Sequence, residues 1–318
     1  MNTSTNNKLI LTDNGHSFQW LDQWAQIPDS PAARNNGRTH AAAMLDDGRV
    51  VVFHQAVPGV LFFDANGKLV ESWGDRFMGA HGVSVTNCHG KQQLWLVDQS
   101  SCEVCRVDLK GNLQQRLDPP PADVRPNGRY TPTWAVENEE NGDIWVADGY
   151  GGAAVYRYAA DGSYLSQLTG EEGAGRFVCP HGIGIGPDQN NQNVLYVADR
   201  TDHRIAVYDL QGKFIKNRDD VTHSPCCFDF NNGLILVPEI RTGFKLLDAQ
   251  LNLVANIGED PRIIQEDKRP AAWPNLAGTG HIKPGLFNSP HGGCFAPNGD
   301  VYITEWIVGG RITKLVRQ

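Results

Sequence analysis

Short apolar runs recur through this chain, ending in a carboxylate at Asp98, Asp148, Asp199, Glu239 and Glu305 and, in the first copy, at His54. A second apolar stretch precedes each of them, beginning near His40, His81, Thr133, His181, Pro225 and His291. The cleanest copy spans residues 177–217. There Phe177-Val178-Cys179-Pro180-His181-Gly182-Ile183-Gly184-Ile185 leads to Val194-Leu195-Tyr196-Val197-Ala198-Asp199, then Arg204-Ile205-Ala206-Val207-Tyr208, then Lys213-Phe214-Ile215. Short runs rich in Val, Ile, Tyr and Phe, cut by Gly and Asn, are strands joined as a meander. No stretch of useful length has helical periodicity, and the 34 Gly and 18 Pro are spread as turn punctuation. The class is all-β.

Six four-stranded units predict a six-bladed β-propeller, in which radial packing covers each sheet and leaves only short edges. That closed architecture absorbs 318 residues in one domain, placed at 16–318 behind a polar tail at 1–15. The last unit runs out of chain after its third strand, at residues 311–315. Residues 18–24 resemble other fourth strands, such as Lys68-Leu69-Val70-Glu71-Ser72-Trp73, and are expected to complete that blade and close the ring. Residues 259–286, punctuated by Asp260-Pro261, Trp273-Pro274 and Lys283-Pro284, read as a long insertion loop before the last blade, placed where it can cover the channel mouth.

Three of the ten histidines occupy one position of the repeat: Ala80-His81-Gly82, Pro180-His181-Gly182 and Pro290-His291-Gly292. Their spacings of 100 and 110 residues are two repeats each, so alternate blades bring them to the propeller axis. The inner two strands of a blade run antiparallel. The start of the first and the end of the second therefore share one face of the disc. One Pro-His-Gly alone is a turn whose ring bonds a nearby carbonyl. Three in register predict a metal site, with ligands about 120° apart and one coordination position left open, as suits zinc. Imidazole also serves other late first-row metals. His40 is an additional candidate ligand or proton carrier. The strand-end carboxylates Asp98, Asp148, Asp199, Glu239 and Glu305 recur too regularly to be catalytic and are expected to bind backbone amides.

The stretch from Gly173-Ala174-Gly175-Arg176-Phe177 through Ala198-Asp199-Arg200-Thr201-Asp202-His203-Arg204-Ile205 resembles an NHL repeat. From about residue 40 onward the chain resembles the peptidyl-α-hydroxyglycine α-amidating lyases, six-bladed propellers with a catalytic zinc on three histidines. The resemblance assigns the zinc ligands to His81, His181 and His291. It gives Tyr150, within Val146-Ala147-Asp148-Gly149-Tyr150, the role of catalytic base, and Arg200, after Ala198-Asp199, that of an active-site arginine. Val51-Val52-Phe53-His54 matches a blade-one segment of the family, which places His54 and Gln55 as groups that orient substrate. Departures are also clear. Gln55 stands where the lyases carry a catalytic arginine, Gly292 where an aspartate joins a calcium site, and Gly151 where a disulfide cysteine follows the tyrosine. They speak against calcium and against a peptide-hormone substrate. Arg38 and Arg241 are candidates to replace the missing charge.

The expected activity is a metal-dependent, zinc-first lyase acting on a small hydroxylated substrate, with an anionic group held by Arg200 and a proton taken by Tyr150. Read without the resemblance, Tyr150 is a turn aromatic and Arg200 a partner for a strand-end carboxylate. Two further readings are a calcium-dependent lactonase, which uses carboxylates and asparagines at the axis, and a non-catalytic NHL binding module. A net charge of −8 without a basic block argues against nucleic acid, and no apolar run approaches membrane-spanning length. Seven cysteines lack framework spacing, and no second pair completes a zinc site with Cys102 and Cys105. With no secretory signal at residues 1–14, a cytosolic protein with reduced thiols is expected. Trp73, Trp95 and Trp145 are expected in blade packing, and Trp134 and Trp306 at the mouth.

Overall fold

The computed structural model describes residues 8–265 and 282–318. Six antiparallel sheets form a six-bladed β-propeller, and two short α-helices, Pro31–Asn36 and Pro261–Gln265, and two 3-10 turns, Ala122–Val124 and Pro126–Gly128, lie between strands of the described residues. The innermost strands are Thr39–Met44, Ala80–Cys88, Trp134–Glu137, Pro180–Pro187, Asp229–Asn231 and Pro290–Phe295. Their antiparallel neighbours are Val50–His54, Lys91–Asp98, Ile144–Asp148, Asn193–Asp199, Leu234–Pro238 and Val301–Glu305.

Burial explains why these segments read as unbroken apolar runs. Every residue of Val50–His54, Ile144–Asp148 and Val301–Glu305 is buried, because a blade is covered on both faces by its neighbours. Outer strands such as Leu69–Trp73 alternate between half-buried and exposed, as a rim strand does. The turn into the outer strand repeats one device. Asp64, Asp108 and Asp209 each accept two backbone N–H bonds, and Gly67, Gly111 and Gly212 follow at φ of 80°, 85° and 92°, where a side chain is strained. Trp95 and Trp145 are fully buried between blades; Trp134 is buried too, but lines a cavity at the far ends of the inner strands rather than the histidine mouth.

Ring closure joins the two ends of the chain. The last blade takes three strands from the C-terminal part, and His16–Leu21 pairs antiparallel with Arg311–Arg317, Phe18 facing Arg317 and Trp20 facing Leu315. The closing strand is shorter than the 18–24 segment expected. Trp24 leaves it to pack between blades, with ring centroids 4.7 Å from Tyr302 and 6.1 Å from Phe63. Ile10–Asp13, expected within a polar tail, adds a fifth strand to this blade. Of the expected insertion loop, Pro261–Gln265 is helical and Lys283 bridges to Leu286, while residues 266–281 lie outside the described residues.

The strand-end carboxylates tie each blade to the loop that leads into it. Asp98 accepts from Gly79 N at 2.8 Å, Asp199 from Cys179 N at 2.6 Å, Glu239 from His223 N at 2.9 Å and Glu305 from Asn288 N at 2.6 Å. These amides lie two or three residues before the axial residue of the same blade. The acids are thus positioning groups, as their regular recurrence suggested.

Burial pushes the Glu239 carboxyl up to about 7, against the pull of Lys245 and of its backbone amides. The folded state then keeps a proton that the unfolded chain releases above about pH 4.5. Glu239 therefore favours folding most at low pH and progressively less as pH rises towards 7, with a slope of at most about 1.4 kcal/mol per pH unit. Relative to Glu239→Gln, the wild type should lose stability in urea melts between pH 5 and 8. A constant difference would show that Glu239 stays ionised when buried.

Candidate metal centre

At the start of four inner strands the ladder slips by one residue. Thr39 pairs with His54 and Ala41 with Phe53, which leaves His40 as the extra residue. The same slip isolates His81 between Ala80 and Gly82, His181 between Pro180 and Gly182, and His291 between Pro290 and Gly292. A bulge of this kind re-aims one side chain out of the alternation. All four imidazoles converge, and each is at most 1% exposed. Among His81, His181 and His291 the ring centroids form a nearly equilateral triangle of 4.7, 4.8 and 4.8 Å. His40 lies 4.7 Å from His81 and 4.4 Å from His291.

Backbone carbonyls fix three of these rings. His81 Nδ1 lies 2.7 Å from the Thr133 carbonyl, His181 Nδ1 2.8 Å from that of Cys226, and His291 Nδ1 3.2 Å from that of His40. A carbonyl only accepts, so each Nδ1 carries the proton and each Nε2 of the neutral ring is a bare acceptor. For these three rings, even-numbered blades supply the imidazole and odd-numbered blades the carbonyl that holds it. In blade five the axial residue is Cys226. Pro225, expected at this place, instead bridges to Glu239 one residue earlier.

The consequence is a cluster of lone pairs. His81 Nε2 and His181 Nε2 face each other at 3.2 Å, and His291 Nε2 is buried without a partner. Burial, ahead of other causes, lowers His81 to about 3 and holds His40, His181 and His291 well below the usual histidine range, so protonation is no remedy. A shared cation is. Two nitrogens bound to zinc at about 2.0–2.1 Å in a tetrahedron stand roughly 3.3 Å apart. The ligand atoms of His40, His81 and His291 lie within 4.8 Å of one another, as do those of His181, Cys226 and His291. The donor set fits a late first-row divalent ion.

Tyr150 and Arg200 complete the centre. The Tyr150 hydroxyl is 3.2 Å from His81 Nε2 and 3.0 Å from His181 Nε2, and accepts from Arg200 Nη1 at 3.1 Å. The guanidinium also covers the phenol ring at 5.2 Å. Asp148 holds the Tyr150 turn from both sides, accepting from Thr131 N and Gly152 N at 2.6 Å each. At Gly151, the family's disulfide position, a Cβ would stand 2.2 Å from Asp148 Oδ1 and 2.4 Å from Thr131 N, so no side chain fits. Tyr150 is 38% exposed as a residue, but its hydroxyl lies against the buried His81 and His181 rings, and desolvation there pushes it up to about 12, against the opposing pull of Arg200.

A cavity of about 370 Å³ reaches the imidazole cluster at His291 and is lined also by Tyr150, Arg200, Ser224, Arg241 and Trp306 among others, with no carboxylate among its described lining residues. Trp306 is held in place, donating from Nε1 to Gln55 Oε1 at 3.1 Å with the Arg38 guanidinium 5.4 Å over its ring. Gln55 therefore reaches the site through Trp306. His54 does not line the cavity; it is fully buried with Nδ1 against the Pro58 carbonyl at 3.2 Å. It takes the strand-end place that carboxylates hold in the other blades.

No family model matches the chain. Among curated proteins it is similar to a probable peptidyl-alpha-hydroxyglycine alpha-amidating lyase of Caenorhabditis elegans, 26% identical over 150 residues, 44% of this chain and 40% of that protein. It is also similar to NHL repeat-containing protein 3 of Homo sapiens, 27% identical over 164 residues, 48% of this chain and 46% of that protein. The chain spans about half the length of the curated relatives it matches. Among solved structures, a gluconolactonase from Xanthomonas campestris superposes with a TM-score of 0.65 at 17% identity, over 95% of this chain and 90% of that one. A virginiamycin B lyase from Staphylococcus aureus gives 0.57 at 16% identity, over 95% and 99%. At these identities the structural likeness establishes the propeller fold, and the chain resembles an amidating lyase and NHL proteins in sequence.

In metal-free protein at neutral pH, ring-nitrogen NMR should find His81, His181 and His291 as Nδ1–H tautomers with slowly exchanging protons. Nε2–H tautomers at these residues would contradict the carbonyl anchoring.

Proposed function

We propose that this chain is a metal-dependent lyase acting on a small hydroxylated substrate that carries an anionic group. The supporting observation is the meeting of anchored imidazole acceptors with the Tyr150–Arg200 pair at the floor of a cavity lined by two arginines. A divalent ion on His81, His181 and His291, with zinc the first choice, supplies Lewis-acid polarisation of a substrate oxygen.

The chain's own groups account for the proton. Tyr150 is a phenol at neutral pH on its own, since burial raises it to about 12. A cation held by those Nε2 atoms, together with Arg200, would favour the phenolate. Tyr150 then accepts the substrate's hydroxyl proton, the oxygen's electrons close to a carbonyl, and the bond from that carbon to a nitrogen or oxygen breaks towards the leaving group. The same proton returns from Tyr150 to the leaving group. Arg200 has planar N–H groups beyond the one spent on Tyr150, which suit a carboxylate. Arg241 adds a second positive charge, and Trp306 offers an apolar wall. The lactonase reading gains no support at the axis, where the six equivalent residues are His40, His81, Thr133, His181, Cys226 and His291 and the strand-end acids are occupied by amides. The free thiols suit a reducing compartment, and on that basis the cytosol is the proposed location.

Metal-loaded protein is assayed against carbinolamides, hemiacetals and small α-hydroxy acids. Tyr150→Phe should retain the metal and fold while losing about 100-fold or more in kcat. Arg200→Met should raise KM for carboxylate substrates by about 10- to 100-fold. Unchanged kcat in the Phe variant removes Tyr150 from the reaction. Absence of turnover across the panel by loaded wild type rejects this substrate class.

A further inference from the structure

We propose that His40 is a fourth imidazole ligand of the axial ion, so that the resting centre holds four ring nitrogens rather than three. The proposal builds on the metal-binding reading above. Its first support is positional. His40 is the extra residue of the same ladder slip that aims His81, His181 and His291, although it lacks their Pro-His-Gly or Ala-His-Gly setting.

The second support is chemical. His40 is 1% exposed, and neither ring nitrogen makes a hydrogen bond of normal length, although the Gln55 side chain lies close enough to interact with the ring. A buried imidazole must carry one N–H and one lone pair, and a fold rarely leaves both unmatched. Its ring touches His81 and His291 at 4.7 and 4.4 Å, and its ligand atom lies within 4.8 Å of theirs, while His181 belongs to a second such group with Cys226 and His291, so that His291 joins the two groups. Trp306 meets the same ring edge to face at 5.7 Å, so aromatic rings crowd it on more than one side. Cys226 is the competing fourth donor, near His181 and His291. Its thiol, however, already lies 3.8 Å from the carbonyls of both Ser224 and Pro290.

His40 also differs from the other three in what restrains it. Its carbonyl accepts from His291 Nδ1 and from Thr304 Oγ1 at 2.9 Å, which fixes its backbone, but no carbonyl holds its own ring. It is the ligand that can turn aside for a substrate oxygen without breaking a backbone contact. A four-nitrogen resting site and an open position during turnover are thereby compatible.

The test uses the full chain reconstituted with Zn(II), with X-ray absorption fine structure to count imidazoles and competition against a chromophoric chelator to measure affinity. Wild type should show one zinc and four imidazoles. His40→Ala and the volume-filling His40→Phe should keep one zinc, drop to three imidazoles and bind at least about tenfold more weakly, the lower end of what even outer-sphere substitutions cost. Added imidazole should restore affinity in the Ala variant alone. Three imidazoles in wild type, a count that needs no variant to fold, overturn the role of His40 and leave the three-histidine site standing. Failure of wild type to retain stoichiometric zinc, or any other divalent metal offered, rejects the underlying metal reading and His40 with it.

Discussion

The bond on which this structure depends is the one from a histidine Nδ1 to a main-chain carbonyl in the next blade. It occurs three times around the axis, from His81 to Thr133, His181 to Cys226 and His291 to His40. Each bond fixes a ring plane and a tautomer together, and both are set by rigid sheet backbone rather than by another mobile side chain. Orientation by a hydrogen bond on the far nitrogen is how proteins prepare imidazoles for a metal. The same contacts stitch even blades to odd ones, so the centre and the ring closure reinforce each other. Closure by a strand from the other end of the chain, with Phe18 and Trp20 buried in the last blade, keeps that geometry from opening.

A second layer of positioning lies behind the first. Strand-end acids hold the loops that deliver the histidines, and Asp148 does the same for Tyr150. These acids are committed to backbone amides and, at Asp199 and Glu305, also to Arg204 and Arg311. The axis is left to neutral, lone-pair-rich imidazoles beneath a positively charged mouth. Arginines at the mouth and a cation among the rings would both attract an anionic substrate, and the phenol between them is the group whose protonation responds most to that charge.

The fold was legible because a closed ring leaves a strong periodic trace. Runs buried on both faces are apolar throughout, and the acids at their ends recur because every blade needs its incoming loop held. His81, His181 and His291 were legible for the same reason, since equal positions in a ring meet at its axis. The equivalence of His40 was harder to read, because the ladder slip that aims it is a property of pairing and Thr39-His40-Ala41 has no motif around it. In blade five Pro225 precedes the axial residue Cys226 just as Pro180 and Pro290 precede His181 and His291, and the order of those blades carries over to it. His54 shared a strand end with the catalytic-looking segment of blade one, yet its ring turns to Pro58, a local choice that no spacing encodes. Ile10–Asp13 carries no repeat signal, because a fifth strand has no counterpart in the other blades.

The claim that the imidazoles share one cation is tested most directly by anomalous diffraction from crystals grown with a divalent transition metal and collected at its absorption edge. The expected result is a single strong peak on the channel axis within bonding distance of His81, His181 and His291 Nε2. An axis without a peak, in crystals whose metal is bound elsewhere or not at all, would contradict it.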